Sequence, residues 1–159
     1  MYKLFFILGL LLPGLVWGDE LHLVLNGKAY HFDRSKNYNE DNWGLGFEYD
    51  LDKSDNWIPL LSGSSFKDSN NQISNYLGGG IKHRFELDNA GMGIHFDIGV
   101  IGFMMTRKDY HSNDPFFGAL PFISVGNDKV ALNATYIPSI SPKHTSLAYF
   151  QLMIKLAEF

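Results

Sequence analysis

The sequence predicts an all-β chain, an eight-stranded antiparallel up-and-down transmembrane β-barrel. Three observations carry that prediction: apolar and polar residues alternate with period two along most of the chain, the links between alternating segments are by turns short and long, and 16 glycines accompany an aromatic content of 15%. A chain of 159 residues with 45% hydrophobic and 19% charged residues is neither disordered nor a charge-laced helical bundle.

The first eighteen residues read as an export leader, with Lys3 as the positive start, Leu4 to Val16 as the apolar stretch and a cut after Gly18. The barrel domain is then Asp19 to Phe159. Strand one is expected over Glu20 to Gly27. Strand two, Trp43 to Asp50, alternates cleanly: Trp43, Leu45, Phe47 and Tyr49 share one face, and Gly44, Gly46, Glu48 and Asp50 the other. Strands three and four are expected over Trp57 to Phe66 and Gln72 to Leu87. Strand five, Met92 to Met104, sets Ile94, Phe96, Ile98 and Val100 against Gly93, His95, Asp97 and Gly99. Leu120 to Gly126, Val130 to Ile137 and Ser146 to Phe159 complete the set. Compact Asp-, Asn- and Gly-rich turns follow strands two, four and six (Asp52 to Asn56, Asp88 to Gly91, Asn127 to Lys129), whereas the other links, Lys28 to Asn42, Lys67 to Asn71, Met105 to Pro115 and Pro138 to Thr145, are longer. Membrane barrels show this asymmetry, with short turns on the periplasmic side and both termini there.

A soluble ligand-binding barrel would alternate in the same way with its apolar face turned inward. The membrane reading is favoured because the polar faces are crowded with Gly78, Gly79, Gly80 and other small residues, because Trp43, Tyr49, Trp57 and Tyr76 lie near strand ends where interfacial girdles form, and because the chain stops on Phe159 after an amphipathic strand. A net charge of −4 without a local Lys/Arg cluster argues against nucleic acid as a partner. With no cysteine there is no disulfide, thiolate metal site or cysteine nucleophile. His95 and Asp97 share the glycine face as a hydrogen-bonded pair, and no third ligand is spaced for a metal, so neither metal nor cofactor is expected. His111, His144, Arg107 and Lys108 fall in outer loops; the two cations would suit lipid phosphates or simply be solvated.

Tyr38-Asn39-Glu40 before Trp43-Gly44, then Phe66-Lys67-Asp68-Ser69, Leu120-Pro121 with Ser124-Val125-Gly126, Thr135-Tyr136-Ile137-Pro138 and Tyr149-Phe150 resemble, in order and spacing, the lipid A palmitoyltransferase family of the Gram-negative outer membrane. The resemblance implies an eight-stranded barrel whose upper lumen holds one acyl chain, and an activity that moves palmitate from a phospholipid to lipid A. Those two lipids are then the partners, and no protein partner is implied. It assigns the family's catalytic Asp-Ser pair to Asp68 and Ser69, the glycine that gives the acyl chain its depth to Gly80, and the prolines flanking a lateral opening to Pro121 and Pro138. The family's histidine, thirteen positions before the motif Tyr, falls on Leu25, which leaves His31 as the candidate base at the outer end of the segment, with His22 too far away. The family's leading amphipathic helix has no counterpart ahead of strand one, and Asn42 replaces a proline beside a second opening.

Acyl transfer needs a base, an oxyanion donor and exclusion of water. His31 as base, Asp68 as its orienting carboxylate and Ser69 as nucleophile or oxyanion donor would meet those needs, provided the backbone turns at Asp68. The run Asp68-Ser69-Asn70-Asn71 is equally ideal as a plain turn. Two functions stay open on the residues alone: a lipid A acyltransferase, or a non-catalytic outer-membrane barrel with a lipid-binding or structural role.

Overall fold

The alternation closes on itself. The computed structural model describes residues 18–33, 35–53, 55–87, 91–139 and 145–159. Among these residues eight strands form: β1 (Glu20–His31), β2 (Asp41–Asp50), β3 (Trp57–Lys67), β4 (Ile73–Glu86), β5 (His95–Thr106), β6 (Phe116–Gly126), β7 (Val130–Ile137) and β8 (Leu147–Glu158). Each pairs antiparallel with the next, and β8 pairs with β1 from Glu20↔Glu158 to His31↔Leu147, so the sheet has no free outer strand. Backbone pairing of this kind is what allows strands to cross a bilayer. Residues 1–17 of the expected eighteen-residue leader, most of the turn at Asp88 to Gly91, and His144 lie outside the described residues.

The faces decide between the two barrel types. Leu45, Leu61, Leu77, Ile98, Val125, Leu132 and Leu152 point outward and are exposed, whereas Asn26, Glu48, Asp50, Lys82, Asp97 and Asn133 point inward and are buried. Apolar outside and polar inside is the pattern of a transmembrane barrel and the inverse of a soluble ligand carrier. Trp43 at one rim and Trp57 at the other face outward. Tyr76 corrects the sequence expectation: it faces the lumen, its hydroxyl 3.2 Å from Ser62 Oγ, because it shares the parity of Gly78, Gly80 and Lys82.

Several boundaries also move; β2 starts at Asp41 rather than Trp43, and β5 at His95 rather than Met92. β1 runs four residues beyond the expected end at Gly27, and the link to β2 is correspondingly shorter, because an irregularity after Asn26 resets the alternation instead of ending the strand. β5 runs on to Thr106. β6 begins at Phe116 rather than Leu120, its opening Phe-Phe-Gly-Ala having no legible period.

The half of the lumen nearest the termini is filled by charge. Lys82, 1% exposed, lies 2.8 Å from Glu48 and 2.7 Å from Asp50, and Arg84 makes two 3.0 Å hydrogen bonds to Asp97. His22 sits beside Glu20 and Asp50, and His95 lies 3.8 Å from Asp97. Each ion leaves water only because its partners replace the lost solvation. Lys82→Met leaves Glu48 and Asp50 buried without their cation and is expected to lower stability by about 3–5 kcal/mol, measured as a shifted urea midpoint for folding into lipid vesicles.

Candidate functional site

The other end of the lumen is organised by one irregularity. Asn26 pairs with Gln151 and Ala29 with Tyr149, so β1 takes three residue steps where β8 takes two. The extra residue reverses which face each side chain takes. Below it His22, Val24 and Asn26 face inward; beyond it Ala29 and His31 do, at 3% and 2% exposure, while Tyr30 and Phe32 turn outward. Asn26 holds the shift in place: its Oδ1 accepts from Tyr149 Oη at 2.8 Å and Gln151 Nε2 at 2.9 Å, and its Nδ2 donates to Ser64 Oγ. His31 is thereby the last residue of β1, within the strand rather than in the loop after it.

Across the mouth, β3 gives way to a tight turn. The Asp68 amide donates to Gln72 O at 2.7 Å and the Asn71 amide to Asp68 O at 3.0 Å, with Asn71 at φ 62°. The turn aims Ser69 at β1, and Ser69 Oγ lies 3.0 Å from His31 Nε2. The His31 ring stacks on Tyr38 with centroids 4.4 Å apart and planes within 13°. Its Nδ1 is 3.5 Å from Glu40 Oε1, which also accepts the His31 amide at 3.1 Å.

The buried Asp68 carboxylate is engaged inside its own turn: Oδ1 accepts the Asn70 and Gln72 amides at 2.9 and 3.0 Å, and Oδ2 accepts the Ser74 hydroxyl at 2.8 Å. Arg107 stands 3.9 Å from Asp68 and donates to Asp109, which also receives Asn70 Nδ2. Burial pushes the Asp109 carboxyl up, yet the hydrogen bonds and charge of Arg107 outweigh it and hold the group below the usual carboxylate range. Asn39 clasps the turn from the β1–β2 loop, its amide donating to Ser69 O and its Nδ2 to Asp68 O. The turn and the site are therefore the same object.

One pleat inward lies a cavity of about 100 Å³, walled by Phe66, Ile101, Phe103, Met105, Leu120, Phe122 and Ile137 and floored by Glu48, Ser62, Asn133 and Gln151. Its side is unpaired. The β6–β7 ladder ends at Phe122↔Thr135, although β6 continues against β5 to Met105↔Phe116 and β7 continues against β8 to Ile137↔Leu147. Pro121 is the first residue of β6 past that stop and Pro138 the first residue past β7, and a residue without N–H cannot extend the ladder. Leu120, Phe122, Thr135 and Ile137 bound both the slot and the cavity. On the opposite side, where Asn42 stands, its Nδ2 donates to Lys67 O at 2.8 Å and ties β2 to β3 beyond their last paired residues, Gly44↔Phe66.

Residues 19–151 match the family described as "Antimicrobial peptide resistance and lipid A acylation protein PagP". The chain belongs to the PagP family. It is 34% identical over 131 residues to "Lipid A acyltransferase PagP" of Laribacter hongkongensis, covering 81% of this chain and 57% of that protein. Proteins of the same name are 32% identical in Bordetella pertussis (76% of this chain, 67% of that one) and in Yersinia enterocolitica (76% and 60%). The chain thus spans about three-fifths of the length of these curated relatives. Among solved structures it is similar to the N-terminal β-barrel domain of Pseudomonas aeruginosa OprF, with a TM-score of 0.47, 12% identity, and 88% of this chain and 98% of that chain covered.

Gly80, expected from the sequence resemblance as a pocket residue, faces the lumen in register with Leu60 and with Ile101 of the cavity wall, two residues before Lys82. A Cβ there would press on the Val100 carbonyl oxygen and the Ile101 backbone, so the glycine also lets β4 and β5 approach. Among the described residues, Glu20, His22 and Asp50 are grouped closely enough to hold a metal, but Lys82 and Lys155 already sit on the two carboxylates.

Sequence reasoning assigned no role to Asn26 and treated Tyr38, Asn39 and Glu40 as motif letters only; it read Arg107 as a cation for lipid phosphates or as solvated, whereas the structure places it on Asp109 and beside Asp68. The signal for the first was present: inward polar or small residues fall at 22, 24 and 26 and then at 29 and 31, a break in parity at a single step. Gly80→Ala forces a backbone shift between β4 and β5 and is expected to cost about 1–3 kcal/mol, read as a lowered midpoint in chemical unfolding.

Proposed function

We propose that the chain is an outer-membrane acyltransferase that moves a fatty acyl chain from a phospholipid to lipid A. The observation that carries this reading is the 3.0 Å contact between His31 Nε2 and Ser69 Oγ at the mouth of an apolar cavity with an open side. A hydroxyl hydrogen-bonded to a buried imidazole is the arrangement that base-assisted acyl transfer needs. The names of the relatives, lipid A acyltransferases in each case, support the same reading.

The phospholipid enters sideways through the slot between Pro121 and Pro138, and the end of its acyl chain inserts among Phe66, Phe103 and Phe122. Filling the cavity with a long chain requires these aromatic walls to rotate, since about 100 Å³ is open in this conformation. The ester carbonyl comes to rest beside Ser69. His31 takes a proton from the attacking hydroxyl, the ester C–O bond of the phospholipid breaks, and His31 returns the proton to the departing glycerol oxygen, leaving a lysophospholipid and an acylated lipid A. If the Ser69 hydroxyl gives its proton to Nε2, Ser69 is the attacking group and an acyl-Ser69 ester precedes transfer. If it instead donates to the carbonyl oxygen, the lipid A hydroxyl attacks directly.

Mass spectrometry of lipid A from cells with and without the gene is expected to show one additional acyl chain when the gene is present. An unchanged lipid A would overturn the acyltransferase reading. Ser69→Ala and His31→Ala are each expected to lower transfer by about 10²-fold or more with the barrel still folded, and full activity in either removes that residue from the mechanism. Intact-mass detection of an acyl adduct on wild-type protein, absent in Ser69→Ala, identifies Ser69 as the nucleophile.

A further inference from the structure

His31 has two ring nitrogens, and the geometry gives each a different neighbour. Nε2 meets Ser69 Oγ at 3.0 Å, and Nδ1 faces Glu40 Oε1 at 3.5 Å. The same Glu40 oxygen accepts the His31 backbone amide at 3.1 Å, so the carboxylate is fixed relative to the main chain and not only to the ring. Tyr38, two residues before Glu40, stacks flat on the imidazole and sets its plane. The carboxylate that the Asp-Ser motif offers for this task is directed elsewhere: both Asp68 oxygens accept hydrogen bonds from the 70–74 stretch, and its nearby cation is Arg107.

We infer that Glu40 is the positioning carboxylate of His31, holding the imidazole with its proton on Nδ1 and its lone pair on Nε2 toward Ser69, while Asp68 builds the turn that delivers Ser69. This inference rests on the acyl-transfer reading of the His31–Ser69 pair. A negative charge beside Nδ1 selects that tautomer and stabilises the imidazolium formed when Nε2 takes a proton. The Tyr38-Asn39-Glu40 segment then acts as a unit: Tyr38 fixes the ring plane, Asn39 grips the Ser69 turn, and Glu40 fixes the tautomer. Among the described residues, Glu40 from the β1–β2 loop faces the imidazole directly, Asp68 stands in the β3–β4 turn that carries Ser69 with Arg107 and Asp109 of the β5–β6 loop beyond it, and β8 presents Leu147 opposite His31. Glu40 has 32% of its side chain exposed, so solvent moderates its field without cancelling it.

The test compares Glu40→Gln with Asp68→Asn in the purified full-length protein, using phospholipid and lipid A in mixed micelles. Glu40→Gln keeps an amide oxygen able to accept the His31 N–H and removes only the charge. The expected result is a loss in kcat of roughly tenfold or more with KM little changed, and an acid limb of the rate profile moved to lower pH, because an imidazole without its carboxylate protonates less readily. Asp68→Asn is expected to lower activity with the acid limb in place. ¹⁵N spectra of the His31 ring, identified by its disappearance in His31→Ala and recorded in the Ser69→Ala background so that no turnover is required, are expected to lose the Nδ1–H signature in Glu40→Gln. An acid limb and ring spectrum unchanged by Glu40→Gln would overturn the inference and leave Glu40 as a cap for the His31 amide. Full transfer activity in His31→Ala would instead overturn the underlying mechanism, and the ring spectrum still reports separately whether Glu40 holds the imidazole.

Discussion

A buried amide at one strand irregularity sets the chemistry of this barrel. Asn26 sits where β1 gains a residue over β8, and its hydrogen bonds to Tyr149, Gln151 and Ser64 tie it to the adjacent β8 and, past β2, to β3. Without the extra residue, strict alternation would put Tyr30 and Phe32 inside and His31 in the lipid. The imidazole reaches Ser69 because the strand changes parity at Asn26, and it does so on a rigid strand rather than on a loop. A one-residue device therefore converts an ordinary β-strand end into a site wall.

The lumen is divided by the same economy of space. A barrel of eight strands has no room for a channel, so its interior must be packed. Toward the termini the packing is ionic, with Lys82 and Arg84 matched to Glu48, Asp50 and Asp97. Toward the other end it is apolar and incomplete, walled by phenylalanines and bounded by a slot where β6 and β7 separate. The charged half closes the lumen beneath the cavity, and Gly80 lies near the boundary between the two halves.

Most of the architecture was legible in the sequence because the strongest rule, period two with one lipid-facing side, holds along long stretches such as Trp43 to Asp50. Strand order and closure followed from link lengths. What escaped were places where local and tertiary requirements diverge. Tyr76 looked like a girdle residue by position but belongs to the lumen by parity. His31 lay past the expected strand end at Gly27 because the alternation breaks after Asn26, and the irregularity that keeps it in the strand is stabilised by partners more than a hundred residues away in β8. Asp68 and Ser69 posed a choice between a turn and a site; the turn exists, and it is what brings Ser69 to His31. Glu40 carried no local sign of its role, because its relation to His31 depends on how the β1–β2 loop folds back.

The unpaired stretch between β6 and β7 also governs where a guest comes from. Backbone left unpaired in hydrocarbon is costly, and proline limits that cost by removing donors that would otherwise go unmet. Under the proposed function, an opening in the wall rather than the rim makes the bilayer itself the reservoir for the donor. The relevant concentration is then the mole fraction of phospholipid in the surrounding leaflet, a two-dimensional quantity that water-borne lipid does not alter.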